Sequence, residues 1–216
     1  MIYAENILIC IGGPLLVTLL FLRDAPRRFV AFFLVGMVMC LLSGYITGYV
    51  NLVNKAESEM TAVYVSPVVE ECMKLLPLLF CLFVMKYDPR MLLHVAIAVG
   101  AGFGTFENCC YILQAGAEDF FYTLVRGLSV GVMHVVCMLL LDSGLLLADR
   151  VRVFSFPAVI GSLSLSMTFH GLYNLLVSEE GVTMYIGYVL PVVAAGVLYL
   201  IFTQITLRRI RRGEIV

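Results

Sequence analysis

The sequence predicts an all-α protein, a bundle of transmembrane helices that crosses a lipid bilayer about seven times. Of the 216 residues, 62% are hydrophobic and only 13% are charged, whereas about a quarter of the residues of a soluble domain are charged. Long apolar runs recur along the chain, and a run of about 20 residues crosses a hydrocarbon core of about 30 Å. The bilayer is therefore the expected solvent and a direct partner of the chain.

Seven apolar segments follow one another, separated by short polar breaks that often contain proline or aspartate. The segments cover residues 2–22, 29–50, 61–85, 91–114, 120–148, 156–177 and 182–207. We expect residues 1–216 to form a single membrane-embedded domain, with a catalytic core at about 61–177. Asp142 makes the fifth segment the one most open to the alternative of a re-entrant pair.

Basic residues predict the orientation of the bundle, because loops that face the cytoplasm are enriched in Lys and Arg. They concentrate in alternate breaks and at the C-terminus, whereas the intervening breaks hold Lys55 among acidic residues. We therefore expect the N-terminus outside and the C-terminus in the cytoplasm, which requires an odd number of spans. The basic residues on the predicted cytoplasmic side are Arg23, Arg27, Arg28, Lys86, Arg90, Arg150, Arg152, Arg208, Arg209, Arg211 and Arg212.

Several ionisable residues lie inside the apolar segments, where each costs roughly 3 kcal/mol unless it finds a partner or water. They are Glu70, Glu71, Lys74, Glu107, Arg126, His134, Asp142 and His170. At a rise of about 1.5 Å per residue, the glutamates and the two histidines of this set fall between the bilayer centre and the outer leaflet. A structural bundle does not need so many buried charges, so we expect one shared polar site that opens outward.

Helical spacing brings some of these residues onto common faces. Lys74 is four residues after Glu70 and three after Glu71, so it can pair with either carboxylate. His170 and Asn174 are also four residues apart and share a face. Each pair taken alone is equally compatible with a structural ion pair or an interhelical hydrogen bond, and only their common depth favours a functional site.

Four stretches, on separate segments and in this order, resemble the motifs of the PrsW family of intramembrane proteases, which is related to the superfamily of CAAX proteases and bacteriocin-processing enzymes. The stretches are an EExxK at 70–74, an FxxxEN at 103–108, the segment from Arg126 to His134, and an HxxxN at 170–174. The resemblance implies cleavage of a membrane-anchored protein near the outer face, with site-1 cleavage of an anti-sigma factor as the family theme. It also implies a multi-pass protein of the bacterial plasma (inner) membrane.

Two mechanisms are compatible with this resemblance. In the glutamate mechanism, Glu70 or Glu71 deprotonates a water molecule as a general base. The residues that would orient this water and stabilise the oxyanion are His134, His170 and Asn174.

In the metal mechanism, two histidines and one carboxylate hold a zinc ion, which lowers the pKa of a bound water to about 7. We favour this mechanism because no serine or cysteine is obviously paired with a base, although the chain lacks the HExxH of ordinary zinc proteases. The expected ligands are His134, His170 and Glu107, with Glu71 as the alternative carboxylate. The residues assigned to support are Lys74, Asn108, Arg126 and Asn174.

Two other classes of protein remain alternatives. A proton- or ion-coupled transporter also buries Glu, His and Lys, but no inverted repeat is visible. A noncatalytic membrane scaffold would tolerate substitution of the glutamates and histidines. Nothing in the sequence indicates a nucleic-acid partner, and the oligomeric state stays unassigned.

Overall fold

The computed structural model describes residues 3–55, 60–116, 119–150 and 155–211. These ranges contain seven α-helices and no strand, which confirms the all-α prediction. We number the helices α1 (Ala4–Thr18), α2 (Asp24–Asn54), α3 (Ser66–Phe83), α4 (Pro89–Ala115), α5 (Phe120–Arg150), α6 (Ser155–Ser178) and α7 (Val182–Arg211). A π-helical turn, Thr61–Val65, leads into α3.

Four of these helices are long and apolar enough to cross a membrane: Asp24–Asn54, Arg90–Gln114, Phe120–Ala148 and Val182–Gln204. Helix α1 is a shorter apolar helix, α3 carries three charged residues, and α6 is interrupted by serines, His170 and Asn174. The chain is therefore a membrane protein with at least these four candidate spans in its described part. Seven spans and the direction of the termini stay predictions. Arg152 and Arg212, which belong to the basic residues of the orientation argument, lie outside the described residues, and so do Glu57, Glu59 and Glu118, acidic residues of the intervening breaks.

The ends of α4 and the start of α5 follow from local sequence signals. The side chain of Asp88 accepts hydrogen bonds from the backbone N–H groups of Arg90 and Met91, at 2.8 and 2.9 Å, which satisfies donors that a helix start leaves free. Gly116, with φ of +84°, ends α4. Asp119 then caps α5 by accepting from the N–H of Phe121 at 2.7 Å. These signals fix where the two helices begin and end along the chain.

Glycines let α4 approach its neighbours closely, as expected for small residues in membrane helices. A Cβ on Gly100 would lie 2.9 Å from the carbonyl oxygen of His134, and one on Gly104 would lie 3.0 Å from the Cα of Gly131. Gly100 and Gly104 therefore lie at close contacts between α4 and α5, whereas a Cβ on Gly44 would contact nothing within 4 Å. This close approach brings α4 against the part of α5 that carries His134.

Asp142 lies inside the apolar core rather than at the polar site. It shares a face of α5 with Met138 and Leu145, both buried in the main hydrophobic cluster. The residue is fully buried, and neither carboxylate oxygen has a hydrogen-bond partner among the described residues. The carboxyl group of Asp142 is therefore removed from water and gains no hydrogen bond from the described residues in return.

We expect Asp142→Ala to stabilise the bundle by about 1–3 kcal/mol, because it removes a buried polar group that has no partner. The measurement is the thermal unfolding midpoint of the purified protein in one detergent. Ser143→Ala is the matched control, since that hydroxyl only bonds back to the carbonyl of Leu139 on its own helix. A midpoint that falls in the Asp142 variant would contradict the expectation and indicate a stabilising partner for the carboxylate.

Candidate active site

Four helices contribute polar side chains to one cluster. Helix α3 supplies Glu70, Glu71 and Lys74, and the other members are Glu107 on α4, His134 on α5, and Ser166 and His170 on α6. Five of the seven are buried, whereas the side chains of Glu70 and Glu107 are 13% and 33% exposed. The structure thus brings together every residue predicted to be catalytic.

The centre of the cluster is a buried ion pair between Lys74 and Glu71. The two residues are one helical turn apart, and the Lys74 Nζ lies 2.5 Å from Glu71 Oε1. The same ammonium lies 2.9 Å from His134 Nδ1 and 4.7 Å from the centre of the Phe103 ring. Because an ammonium can only donate, Nδ1 of His134 accepts this hydrogen bond. Lys74 therefore links α3 to α4 and α5.

Both oxygens of Glu71 are occupied by donors. Oε1 contacts Lys74 and lies 2.8 Å from Nδ1 of His170, and Oε2 accepts from the hydroxyl of Ser166 at 2.8 Å. Glu71 is also fully buried. Such a carboxylate orients its partners and is poorly placed to take a proton from water.

Glu70, its neighbour in the chain, has a different environment. Oε1 accepts from the Ser66 hydroxyl at 2.6 Å, whereas Oε2 is buried and has no hydrogen-bond partner among the described residues. That free oxygen lies 3.8 Å from Nε2 of His170. Glu70 therefore keeps one oxygen available to a ligand.

The two histidines face each other across the cluster, with ring centres 5.2 Å apart and ring planes at 90°. An ionised Glu71 can only accept, so Nδ1 of His170 donates to it, and Nε2 is left pointing at Glu70. A carboxylate behind one ring nitrogen is the usual way to orient a histidine whose other nitrogen binds a metal. The other histidine, His134, contacts Oε2 of Glu107 through Nε2.

Two groups of side chains in the described residues have ligand atoms close enough to hold one metal ion. In each group these atoms lie within 4.8 Å of one another; the groups are Glu70, His134 and His170, and Glu71, Cys137 and His170. The first group fits better, because Glu70 has a buried oxygen without a partner, whereas both oxygens of Glu71 are already bonded. Two imidazoles and one carboxylate are a normal catalytic zinc set that leaves the fourth position open.

The favoured group can be compared with the metal ligands expected from the sequence. Both predicted histidines belong to the favoured group, and its carboxylate is Glu70. Glu107, expected as the carboxylate ligand, lies outside the group and contacts His134 instead. The role of each carboxylate stays a prediction.

The support residues lie beside the cluster and tie helices together. Arg126 Nη1 donates to Asn108 Oδ1 at 2.9 Å, and Asn108 Nδ2 donates to the carbonyl of Gly127 at 3.0 Å. The guanidinium of Arg126 also lies 3.2 Å from the centre of the Tyr111 ring. Asn108 therefore joins α4 to α5.

Asn174 has the same kind of role at another junction. Its Nδ2 donates to the backbone carbonyl of Ala62 at 2.9 Å. This bond joins α6 to the π-helical turn that precedes α3. Among the described residues, the amide nitrogen thus donates to this carbonyl rather than to the histidines that Asn174 was expected to assist.

Ser166 is the member of the cluster that sequence reasoning missed. It bonds to Glu71 and also lies 3.3 Å from the carbonyl of Cys137. The available signal was its position four residues before His170, which puts both on one face of α6. Serines are frequent in this segment, so the spacing alone did not single it out.

Comparison with known proteins agrees with this geometry. The sequence model of the PrsW family of intramembrane metalloproteases matches residues 25–201, which is most of the chain and includes every member of the cluster. No curated protein and no solved structure matches the chain. Since the family match covers well over half of the sequence, the chain belongs to the PrsW family of intramembrane metalloproteases.

Proposed function

We propose that this protein is an intramembrane endopeptidase that cleaves a membrane-anchored protein near the outer face of the bilayer, with zinc as its metal. The observation that carries the proposal is the group formed by Glu70, His134 and His170, in which the free Oε2 of Glu70 lies 3.8 Å from Nε2 of His170. Membership of the family supports proteolysis as the reaction, and this group of side chains supports a metal site at which the reaction would occur.

Glu70, His134 and His170 would hold the zinc ion. When bound, zinc supplies a Lewis acid that polarises a carbonyl oxygen and makes water a nucleophile near neutral pH. His134 would exchange one of its two present contacts for the ion, either Lys74 at Nδ1 or Glu107 at Nε2. The buried pair of Lys74 and Glu71 orients His170, because Glu71 accepts a hydrogen bond from its Nδ1. The orientation of this histidine is thus fixed before the substrate arrives, which lowers the activation free energy of the reaction.

Proton transfer is assigned to Glu107. Its side chain is 33% exposed, compared with 13% for Glu70 and 0% for Glu71, so water and substrate reach it most easily. Glu107 takes a proton as the water oxygen adds to the scissile carbonyl carbon. It returns this proton to the amide nitrogen when the C–N bond breaks, which releases a free amine and a carboxylic acid.

The substrate class follows from the setting of the site. A cluster inside a membrane bundle meets peptide bonds of other membrane-anchored chains, and an anti-sigma-factor-like protein is the member of that class we propose. The alternation of basic residues along the chain supports a site in the outer half of the membrane, and the family supports a bacterial inner membrane as its location. Seven spans with the C-terminus in the cytoplasm complete the proposed topology.

The test compares cells that carry the wild-type protein, Glu70→Gln, or the exposed control Glu180→Gln. Quantitative mass spectrometry of released extracytoplasmic fragments should find a single-span protein that is shortened with the wild type and the control but intact with Glu70→Gln. A transporter would instead give vesicle ion flux that depends on Glu70, with no fragment that depends on it. That result would refute the proposed protease activity at this site.

A further inference from the structure

A cavity of about 450 Å³ opens between the beginnings of α2 and α4, away from the polar cluster. Its walls include Phe29 and Phe32 from α2, Tyr87 from the loop before α4, and Met91 and Val95 from α4. Phe32 and Tyr87 meet edge to face, with ring centres 6.3 Å apart. The inner surface is therefore aromatic and aliphatic, which suits a hydrocarbon chain.

The packing of α2 against α4 explains why the space is there. Further along the pair, a Cβ on Gly36 or Gly102 would collide with the backbone of the facing helix, so the helices touch at these positions. Towards their N-terminal ends the side chains of Phe29 and Phe32 line the space between the two helices. The cavity thus lies where two candidate membrane spans begin, at the depth of lipid headgroups.

The lining of the cavity also carries a net positive charge. Arg28, Arg90 and His94 line the cavity together with one acidic residue, Asp88. Two arginines and one aspartate leave a net charge of +1, with histidine neutral. The Asp88 carboxylate is used in capping α4, and neither arginine forms an ion pair within the described part of the chain. The guanidinium groups are therefore free to bind an external anion.

We propose that this cavity binds an anionic phospholipid, with its phosphate between Arg28 and Arg90 and an acyl chain against Phe29, Phe32 and Tyr87. Guanidinium groups match phosphate with paired hydrogen bonds, and basic pockets between membrane helices suit anionic headgroups. A free phosphate ion would explain the arginines but would leave the apolar walls without a ligand. The proposal is independent of the protease chemistry.

Because the chain contains no tryptophan, Phe29→Trp places a single fluorescent reporter in the cavity. The full-length variant is reconstituted into vesicles that contain brominated phosphatidylglycerol or brominated phosphatidylcholine, which quench a tryptophan they touch. Phe83→Trp is the reference, since Phe83 is 70% exposed and does not line the cavity. We expect the reporter at position 29 to favour phosphatidylglycerol at least about fivefold more than the reporter at position 83.

The arginines are tested in the Phe29→Trp protein. Arg28→Gln together with Arg90→Gln should remove most of the preference, about fivefold for each arginine, whereas the neighbouring exposed Arg27→Gln should retain most of it. Equal quenching by the two lipids, or a preference that survives the double substitution, would overturn the proposal. Millimolar inorganic phosphate could also abolish the preference, so that the reporters at positions 29 and 83 no longer differ. That result would assign the site to free phosphate and would equally overturn the proposal.

Discussion

Glu70→Gln is expected to lower the cleavage rate by about 10²–10⁴-fold while leaving the bundle as stable as the wild type. The free Oε2 of Glu70 is the carboxylate oxygen that faces His170, and a neutral amide replaces it without a change of shape. Loss of one acid–base or ligand group typically costs a rate factor of this size. The hydrogen bond from Ser66 can persist to the amide oxygen, so folding has little to lose.

The matched comparison is Glu71→Gln, one residue further on. That change leaves the Lys74 ammonium fully buried without its anionic partner, and breaking a buried pair costs about 3–5 kcal/mol. We therefore expect Glu71→Gln to lose both activity and thermal stability, whereas Glu70→Gln loses activity alone. Kinetics on the identified substrate and thermal unfolding in detergent measure the two effects. An active Glu70→Gln variant beside a stable, inactive Glu71→Gln variant would reverse the two roles.

The second large effect concerns Lys74 itself. Lys74→Met should destabilise the protein by about 3–5 kcal/mol, since it strands the buried charge of Glu71. It should also abolish cleavage, because Glu71, which orients His170 through Nδ1, loses its cationic partner. The two defects can be separated by adding Glu71→Leu to Lys74→Met.

In this double variant the buried charges are replaced by apolar side chains of similar length, which restores stability in other proteins. Its thermal unfolding midpoint should recover most of what Lys74→Met loses, whereas its activity should stay absent. A non-additive recovery of this kind is the signature of direct coupling between two residues. Simple addition of the two losses would show that the ion pair does not hold the site together.

Much of the fold and the membership of the site could be predicted from sequence, because both follow from local patterns. Apolar runs located the helices, and charges within those runs identified Glu71, His134 and His170, which the structure brings together. Spacing showed that Lys74 reaches back one turn to a carboxylate. These inferences need only helix geometry and the cost of burying charge.

The division of roles between Glu70 and Glu71 was beyond the sequence. Lys74 is within one turn of both, and the choice of Glu71 depends on which face of α3 meets α5 and α6. The same limit explains Ser166, whose bond to Glu71 crosses between two helices 95 positions apart in the chain. Such contacts are set by packing between helices, which spacing within one helix does not encode.

The most direct test of the account is the metal content of the purified full-length protein, measured by mass spectrometry of the elements. The chain has three histidines, so His94→Ala, which alters the exposed one outside the cluster, is the natural control for His170→Ala. We predict about one zinc per chain in the wild type and in His94→Ala, and almost none in His170→Ala or Glu70→Gln, with all four proteins folded. Zinc that is retained in full by folded His170→Ala and Glu70→Gln, or absent from the wild type after loading with zinc, would contradict the assignment of this site.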